Sequence, residues 1–95
     1  MKITILEDWH LRGMNHWNQS RFKKAVYWFQ RASMQDHLPS IHALAFAYLK
    51  GQGVDENINR GISMIKFAAS KGHQPSIDAI DFIMNNDSDT QTNNQ

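Results

Sequence analysis

Apolar residues recur along the chain at the spacing of amphipathic helices. One stripe follows positions i, i+3, i+4, i+7, i+10 and i+11: Phe22, Ala25, Val26, Phe29, Ala32 and Ser33. The series begins again at residue 58: Ile58, Gly61, Ile62, Ile65, Ala68 and Ala69. A third stripe lies between them: Ile41, Leu44, Ala45 and Tyr48. Phe46 and Leu49 widen this third stripe to more than half of the helix circumference, so we expect that helix to touch neighbours on both sides.

The stripes and their punctuation predict five helices, over roughly 3–15, 21–35, 39–50, 58–71 and 75–85. Ser20 and Asn57 precede helices and are good N-cap residues. Gly72 follows a stripe, as a left-handed C-terminal cap does. Pro39 and Pro75 stand where helices begin, in the one turn that tolerates proline. Residues 86–95 contain no apolar residue, so we predict a repeat domain over 1–85 and a disordered polar tail over 86–95.

The chain repeats itself at an offset of 36 residues. The segment from His37 to Ile41 falls on the segment from His73 to Ile77, and both contain Pro-Ser-Ile. Phe46 falls on Phe82, and the apolar phase is kept over two helices. A period of this length is typical of helical solenoids. The sequence therefore predicts an all-α fold: a short α/α solenoid of about two and a half helical-hairpin repeats, with the fifth helix covering the open end.

The repeat resembles the Sel-one-like repeat family, which is related to tetratricopeptide repeats. The resemblance is closest over residues 43–73, where Leu44, Ala45, Tyr48 and the Gly51-Gln52-Gly53-Val54 turn match the first helix and its turn, and Ala68, Ala69, Gly72 and His73 match the end of the second. The flanking copies depart from the pattern. The first has Asn15-His16-Trp17-Asn18 where turn glycines are expected, and Gly61 replaces an alanine in the second.

The resemblance implies a superhelix that serves as a protein-binding scaffold or adaptor, often in bacterial signalling, secretion or host interaction, and it implies no reaction. We therefore expect a non-enzymatic interaction module whose partner is another protein: a helix, a peptide segment or a subunit edge. A small inhibitor or immunity-type protein that blocks an effector is the alternative, and a self-assembling regulatory subunit is another. An enzyme is the least favoured class.

Composition and charge exclude several kinds of site and several classes of partner. The absence of cysteine excludes disulfides, a thiol nucleophile and thiolate-bound zinc. The net charge of +1 is too small for an electrostatic nucleic-acid binder, and no apolar run is long enough to span a bilayer. The N-terminus carries no recognisable leader pattern, so we expect a cytoplasmic protein without nucleic-acid or membrane partners. Charge is uneven: residues 1–50 carry seven Lys/Arg and three acids, and residues 51–95 carry three and six.

Five histidines raise the question of a metal or acid–base site. None of them forms a His-x-x-x-His pair, and the acids lie on separate elements. The spacing therefore predicts no metal site, no catalytic residue and no cofactor. His37 and His73 occupy the same position of the repeat turn, where a ring can bond a carbonyl at a helix end. We expect these two histidines to cap helices.

Partner-binding residues are expected in the groove formed by the first helices of the repeats. The candidates share positions off the packing stripe or lie at the rim: His10, His42, Phe46, Leu49, Phe82 and Trp17. The N-terminal helix is rich in apolar residues with few charges between them, and Trp9 has no core explanation in the repeat pattern. We therefore predict that this end, with Trp9, binds a partner or a second copy in a homodimer; a locally packed N-terminal cap is the alternative.

Overall fold

The chain folds into five consecutive α-helices in a computed structural model that describes residues 3–93, with side chains described for residues 3–85. The helices are α1 (Ile5–Asn18), α2 (Phe22–Ser33), α3 (Leu38–Lys50), α4 (Ile58–Ser70) and α5 (Gln74–Asn93). Each helix packs against the next one in the chain. No strand occurs among residues 3–93. The predicted all-α solenoid, two hairpins followed by a single helix, is confirmed.

Helix α1 begins two residues later and ends three residues later than the predicted range of 3–15. Thr4 caps its N-terminus through a capping box: the Glu7 amide donates to the Thr4 hydroxyl, and the Thr4 amide donates to the Glu7 carboxylate, at 3.1 and 3.0 Å. The expected turn at residues 15–18 is helical, and Trp17 therefore lies on α1. The polypeptide reverses direction over residues 19–21 instead.

Among the other residues predicted to cap helices, Asn57 does so through its side chain, whereas Ser20 and His37 do not. Asn57 accepts a hydrogen bond from the Arg60 amide at 3.0 Å, as expected of an N-cap. Ser20 is not an N-cap: it has a φ of 61° inside the turn, and Arg21 holds the cap position without a side-chain bond. His37 holds the cap position of α3, but its ring makes no capping bond. Its backbone carbonyl instead accepts hydrogen bonds from the Ser40 and Ile41 amides.

The main core lies between α2 and α3. Its buried residues are Ala25, Val26, Phe29, Leu44 and Ala47. Phe29 has no exposed surface and is one of the largest fully buried side chains. Burial of its ring contributes on the order of 2–3 kcal/mol to the free energy of unfolding. The stripe that begins at Phe22 therefore faces the core as the sequence predicts.

In each hairpin a glycine allows the two helices to approach closely, but the glycine lies on the first helix in one hairpin and on the second helix in the other. In the first, a Cβ atom at Gly13 of α1 would lie 2.5 Å from the Phe29 ring on α2, so the glycine makes room for the ring. In the second, the position equivalent to Gly13 is Leu49, and its side chain occupies the space beside Gly61 on α4. A Cβ atom at Gly61 would lie 2.7 Å from Leu49. Each hairpin therefore pairs one large residue with one glycine, which keeps the packed volume similar.

Helix α5 covers the end of the stack and packs mainly on α4. The positions of α3 that face α4 hold Ala45 and Leu49, and the equivalent positions of α5 hold Asp81 and Asn85, which are both exposed. This exchange of apolar for polar residues is what a terminal helix requires. The helix continues to Asn93, past its expected end at residue 85. The side chains of residues 86–95 lie outside the described residues, so the disordered tail and the domain boundary stay predictions.

We expect Gly13→Ala to lower the free energy of unfolding by about 1–3 kcal/mol, because the added methyl group meets the Phe29 ring. Helix propensity alone would change it by about 1 kcal/mol in the opposite direction. Urea unfolding of Gly13→Ala, Phe29→Leu and the double variant measures the effect. The double variant should lose less than the sum of the two single losses. A stabilised Gly13→Ala protein would show that the close contact is absent.

Candidate functional site

An apolar groove runs across the first helices of the repeats. It has a volume of about 450 Å³. Its walls come from α1 and α3, its floor from α2 and its far end from the start of α5. The lining residues are His10, Met14, Trp17, Phe29, Pro39, His42, Ala43, Phe46, Lys50, His73 and Pro75. The volume falls in the range of pockets that bury a small ligand or a few side chains.

Aromatic rings form much of the groove wall. The Trp17 ring lies 4.7 Å from the Phe22 ring, edge to face, and 6.2 Å from the Phe29 ring. The Phe46 ring lies 4.9 Å from the His42 ring. These distances are typical of favourable aromatic pairs, which fix the orientation of each ring. The wall is therefore apolar and held in place by the core beneath it.

Two repeat-related serines anchor the histidines of the groove. Ser40 and Ser76 occupy the same repeat position, immediately after Pro39 and Pro75, and neither has exposed surface. His10 Nδ1 lies 2.8 Å from Ser40 Oγ, which joins α1 to α3. His42 Nδ1 lies 2.7 Å from Ser76 Oγ, which joins α3 to α5. A buried hydroxyl requires a partner, and each junction between repeats supplies an imidazole.

The second junction contains a further ring, because His73 Nδ1 also lies 2.8 Å from Ser76 Oγ. A serine hydroxyl has one hydrogen to donate and can accept from a second group. The arrangement that satisfies all three groups has Ser76 donating to one ring and accepting Nδ1–H from the other. When both rings are neutral, one then carries hydrogen on Nε2 and the other has a free lone pair there. The pair offers one donor and one acceptor.

Four histidines have a lowered pKa. Partial burial is the main cause for His10, His37, His42 and His73. Repulsion from a neighbouring imidazole lowers the pKa of His10 and of His42 further, because the His37 ring lies 5.4 Å from His10 and the His73 ring lies 5.2 Å from His42. The Glu7 carboxylate partly offsets the effect of burial on the pKa of His37. The groove therefore favours neutral imidazoles.

The structure brings together four of the residues expected to bind a partner: His10, Trp17, His42 and Phe46. It does not place Leu49 with them, because that side chain packs beside Gly61 between α3 and α4. Phe82 occupies the repeat position of His10 and Phe46 on α5, but it lies outside the groove and is 66% exposed. A helix that is apolar on two faces does not reveal from its sequence which face is filled.

Trp9 lies away from the groove. The Arg31 guanidinium carbon is 4.5 Å from the centre of its ring, which is a cation–π contact between α1 and α2. Arg12 pairs with Asp8 at 2.9 Å and lies 5.3 Å from the Trp28 ring. Arginines from both helices therefore lie against the indole rings, a feature that the pattern of the first helix alone does not indicate. Whether this end binds a partner stays a prediction.

The sequence-based set of binding residues does not include His73, which lines the groove, or Ser40 and Ser76, which lie beneath it and hold its histidines. The sequence analysis uses the two serines only as markers of the repeat and expects His73 to cap a helix. Its ring bonds a serine hydroxyl, not a carbonyl, so that assignment is wrong. The recurring Pro-Ser pair was the available signal, because a serine inside an apolar helix stripe needs a polar partner. Nothing in the sequence showed that the partner would come from the preceding repeat.

The arrangement offers no obvious catalytic or metal-binding centre among the residues described. Ser40 and Ser76 are too deeply buried to act as nucleophiles, and no carboxylate is hydrogen-bonded to the histidines that contact them. Among the side chains described, those of residues 3–85, no group of three from His, Cys, Asp or Glu is placed to hold a metal ion. Within residues 3–93, no helix has both the length and the apolar character needed to cross a membrane.

The fold and the groove define a helical-repeat protein of the α-solenoid class. The Sel1 repeat model matches residues 10–37 and 38–73, which together cover more than half of the chain. The chain belongs to the Sel1 repeat family. Repeats of this family generally mediate protein–protein interaction and are generally non-enzymatic. Comparisons with curated proteins and with solved structures give no match.

The lowered pKa values predict that acid destabilises the fold. Between the native pKa of each histidine and about 6.5, the unfolded chain binds more protons than the native one, so stability falls as pH falls. Full stability is expected above pH 6.5 or so. Urea unfolding between about pH 8 and pH 5.5 measures the slope, and His42→Gln should flatten it. A free energy of unfolding that is constant or rises toward pH 5.5 would show that the pKa values of these histidines are not lowered in the folded protein.

Proposed function

We propose that the groove binds an apolar segment of a partner protein, and that the chain serves as an adaptor. The observation that carries this proposal is the row of partly exposed aromatic and histidine side chains along the groove, with Trp17 and Phe46 at its centre. Large aromatic side chains dominate the energetics of protein interfaces. The rings are also held by the core, so binding loses little side-chain entropy.

The polar groups of the groove suit the main chain of a bound segment. His42 and His73 supply one donor and one acceptor at their outer nitrogens, as a peptide group requires. These rings stand at the edge of an otherwise apolar wall. An apolar side chain of the partner would then fill the cavity while its backbone bonds the imidazoles.

Charge at the groove favours an acidic residue beside that apolar anchor. Lys50 is the one permanently charged side chain among the lining residues, and no Asp or Glu lines the groove. An anionic partner residue therefore gains attraction from Lys50 and meets no repulsion from the walls. The proposed ligand is a segment with a large apolar side chain next to Asp or Glu.

A displayed library of random 12-residue peptides tests the proposal. Peptides selected on the wild-type protein should be enriched in a large apolar residue beside an acid. Their affinity should fall by about tenfold or more in Phe46→Glu, which corresponds to ~1.4 kcal/mol. The measurement is calorimetric titration of selected peptides against each purified variant, after circular dichroism has shown that the variant is folded.

The matched control is Phe67→Glu, the same substitution at a ring that is 40% exposed on the outer helix α4. It should leave peptide affinity unchanged. Lys50→Gln should weaken peptides that contain an acid more than peptides that lack one. If Phe46→Glu and Phe67→Glu bind the selected peptides equally well, or if no peptide is enriched, the groove is not the binding site.

A further inference from the structure

The N-terminal end of the solenoid exposes positions that are buried inside the stack. In α3, Leu44 and Ala47 belong to the core cluster with α2, and Ile41 is also buried. The equivalent positions of α1 are Ile5, Asp8 and Leu11. No repeat precedes α1 within the described residues, and Ile5 and Leu11 are 64% and 52% exposed. This end therefore retains the surface on which a neighbouring repeat would pack.

Cationic and aromatic side chains surround this surface. Arg31 lies over Trp9 and donates a hydrogen bond to the Tyr27 hydroxyl at 3.2 Å, and no described carboxylate pairs with it. Lys24, on the same helix, is exposed. Helix α2 contains three Lys or Arg residues and no acid. Among the other described charges of this end, Asp8 pairs with Arg12 and Glu7 accepts a hydrogen bond from the Thr4 amide, so Lys24 and Arg31 leave the N-terminal end with a small excess of positive charge.

The C-terminal end has the opposite character. The face of α5 that would meet a further repeat carries exposed side chains at the positions of His42, Ala45, Phe46 and Leu49 in α3. These are Asp78, Asp81, Phe82 and Asn85. Residues 74–85, the part of α5 whose side chains are described, contain two Asp and no Lys or Arg. The C-terminal end is thus acidic, with the Phe82 ring exposed among the carboxylates.

We propose that the occupant of the N-terminal end is a second copy of this chain, bound head to tail through the acidic face of its α5. Phe82 packs on the apolar patch formed by Ile5 and Leu11, and Asp81 meets Arg31. Two acidic faces of α5 repel each other, so charge disfavours a two-fold dimer through the C-terminal ends. A heterologous contact does not close on itself, and it produces chains of increasing length. The contact uses the ends of the stack and is independent of the groove.

Sedimentation equilibrium of the full chain over a range of concentrations tests the head-to-tail contact. At low ionic strength the weight-average mass should rise continuously above the 11.0 kDa of one chain as concentration increases. It should return toward that value at about 1 M salt, where the screening length is roughly 3 Å. A mass that stays at one chain under all conditions, or that stops at two chains, overturns the proposal.

Charge reversal identifies the surfaces. Arg31→Glu and Asp81→Lys should each raise the apparent dissociation constant by at least about tenfold. An equimolar mixture of the two variants should associate again, because the negative charge at position 31 of one variant then meets the positive charge at position 81 of the other. Lys23→Glu is the matched control: it has the same change of charge on the same helix, but Lys23 lies beside the turn at Gly51–Asp55.

The control should associate like the wild type, and association lost equally in Lys23→Glu overturns the proposal. A mixture that fails to recover association overturns it as well. Circular dichroism establishes that each variant is folded. If Arg31→Glu does not fold, Lys24→Glu takes its place in the same mixing experiment, with the same expected recovery.

Discussion

The buried ring of Phe29 connects the hydrophobic core to the groove. It fixes the distance between α1 and α2, because Gly13 leaves room for the ring and for no additional atom. The same ring forms part of the groove floor, with the His10 and Trp17 rings 5.6 and 6.2 Å away. The side chains proposed to bind a partner therefore rest directly on the core. In a chain of this size, one tightly packed layer has to serve both stability and binding.

The imperfect copies of the repeat are physically complementary to one another. Gly61 departs from the family pattern, but it lies where Leu49 needs space. Gly13 takes the place of that leucine in the preceding hairpin, where Phe29 is the larger residue. Substitutions at facing positions thus compensate in volume, so the hairpin geometry persists while its sequence diverges.

The sequence predicts the helices well because the apolar stripes and their caps are local signals. It predicts the repeat and its class because the same phase recurs after 36 residues. The groove is predicted only in part: four of the expected residues line it, whereas Leu49 fills the space between α3 and α4 and Phe82 lies outside. Contacts across repeat junctions escape prediction, since the Ser76 hydroxyl meets a ring 34 residues away. The contact between Arg31 and Trp9 is not predicted either, because a cation–π contact between two helices produces no periodic pattern in the sequence.

The single hydrogen of the Ser76 hydroxyl has a consequence for the two histidine rings that contact it. Because Ser76 donates to one ring and accepts from the other, the tautomers of His42 and His73 are coupled. A ligand that takes a hydrogen bond from one outer nitrogen thereby fixes the role of the other ring. His42 lies on α3, and His73 lies immediately before α5. The two rings and the hydroxyl therefore act as one hydrogen-bonding unit that spans the junction between α3 and α5.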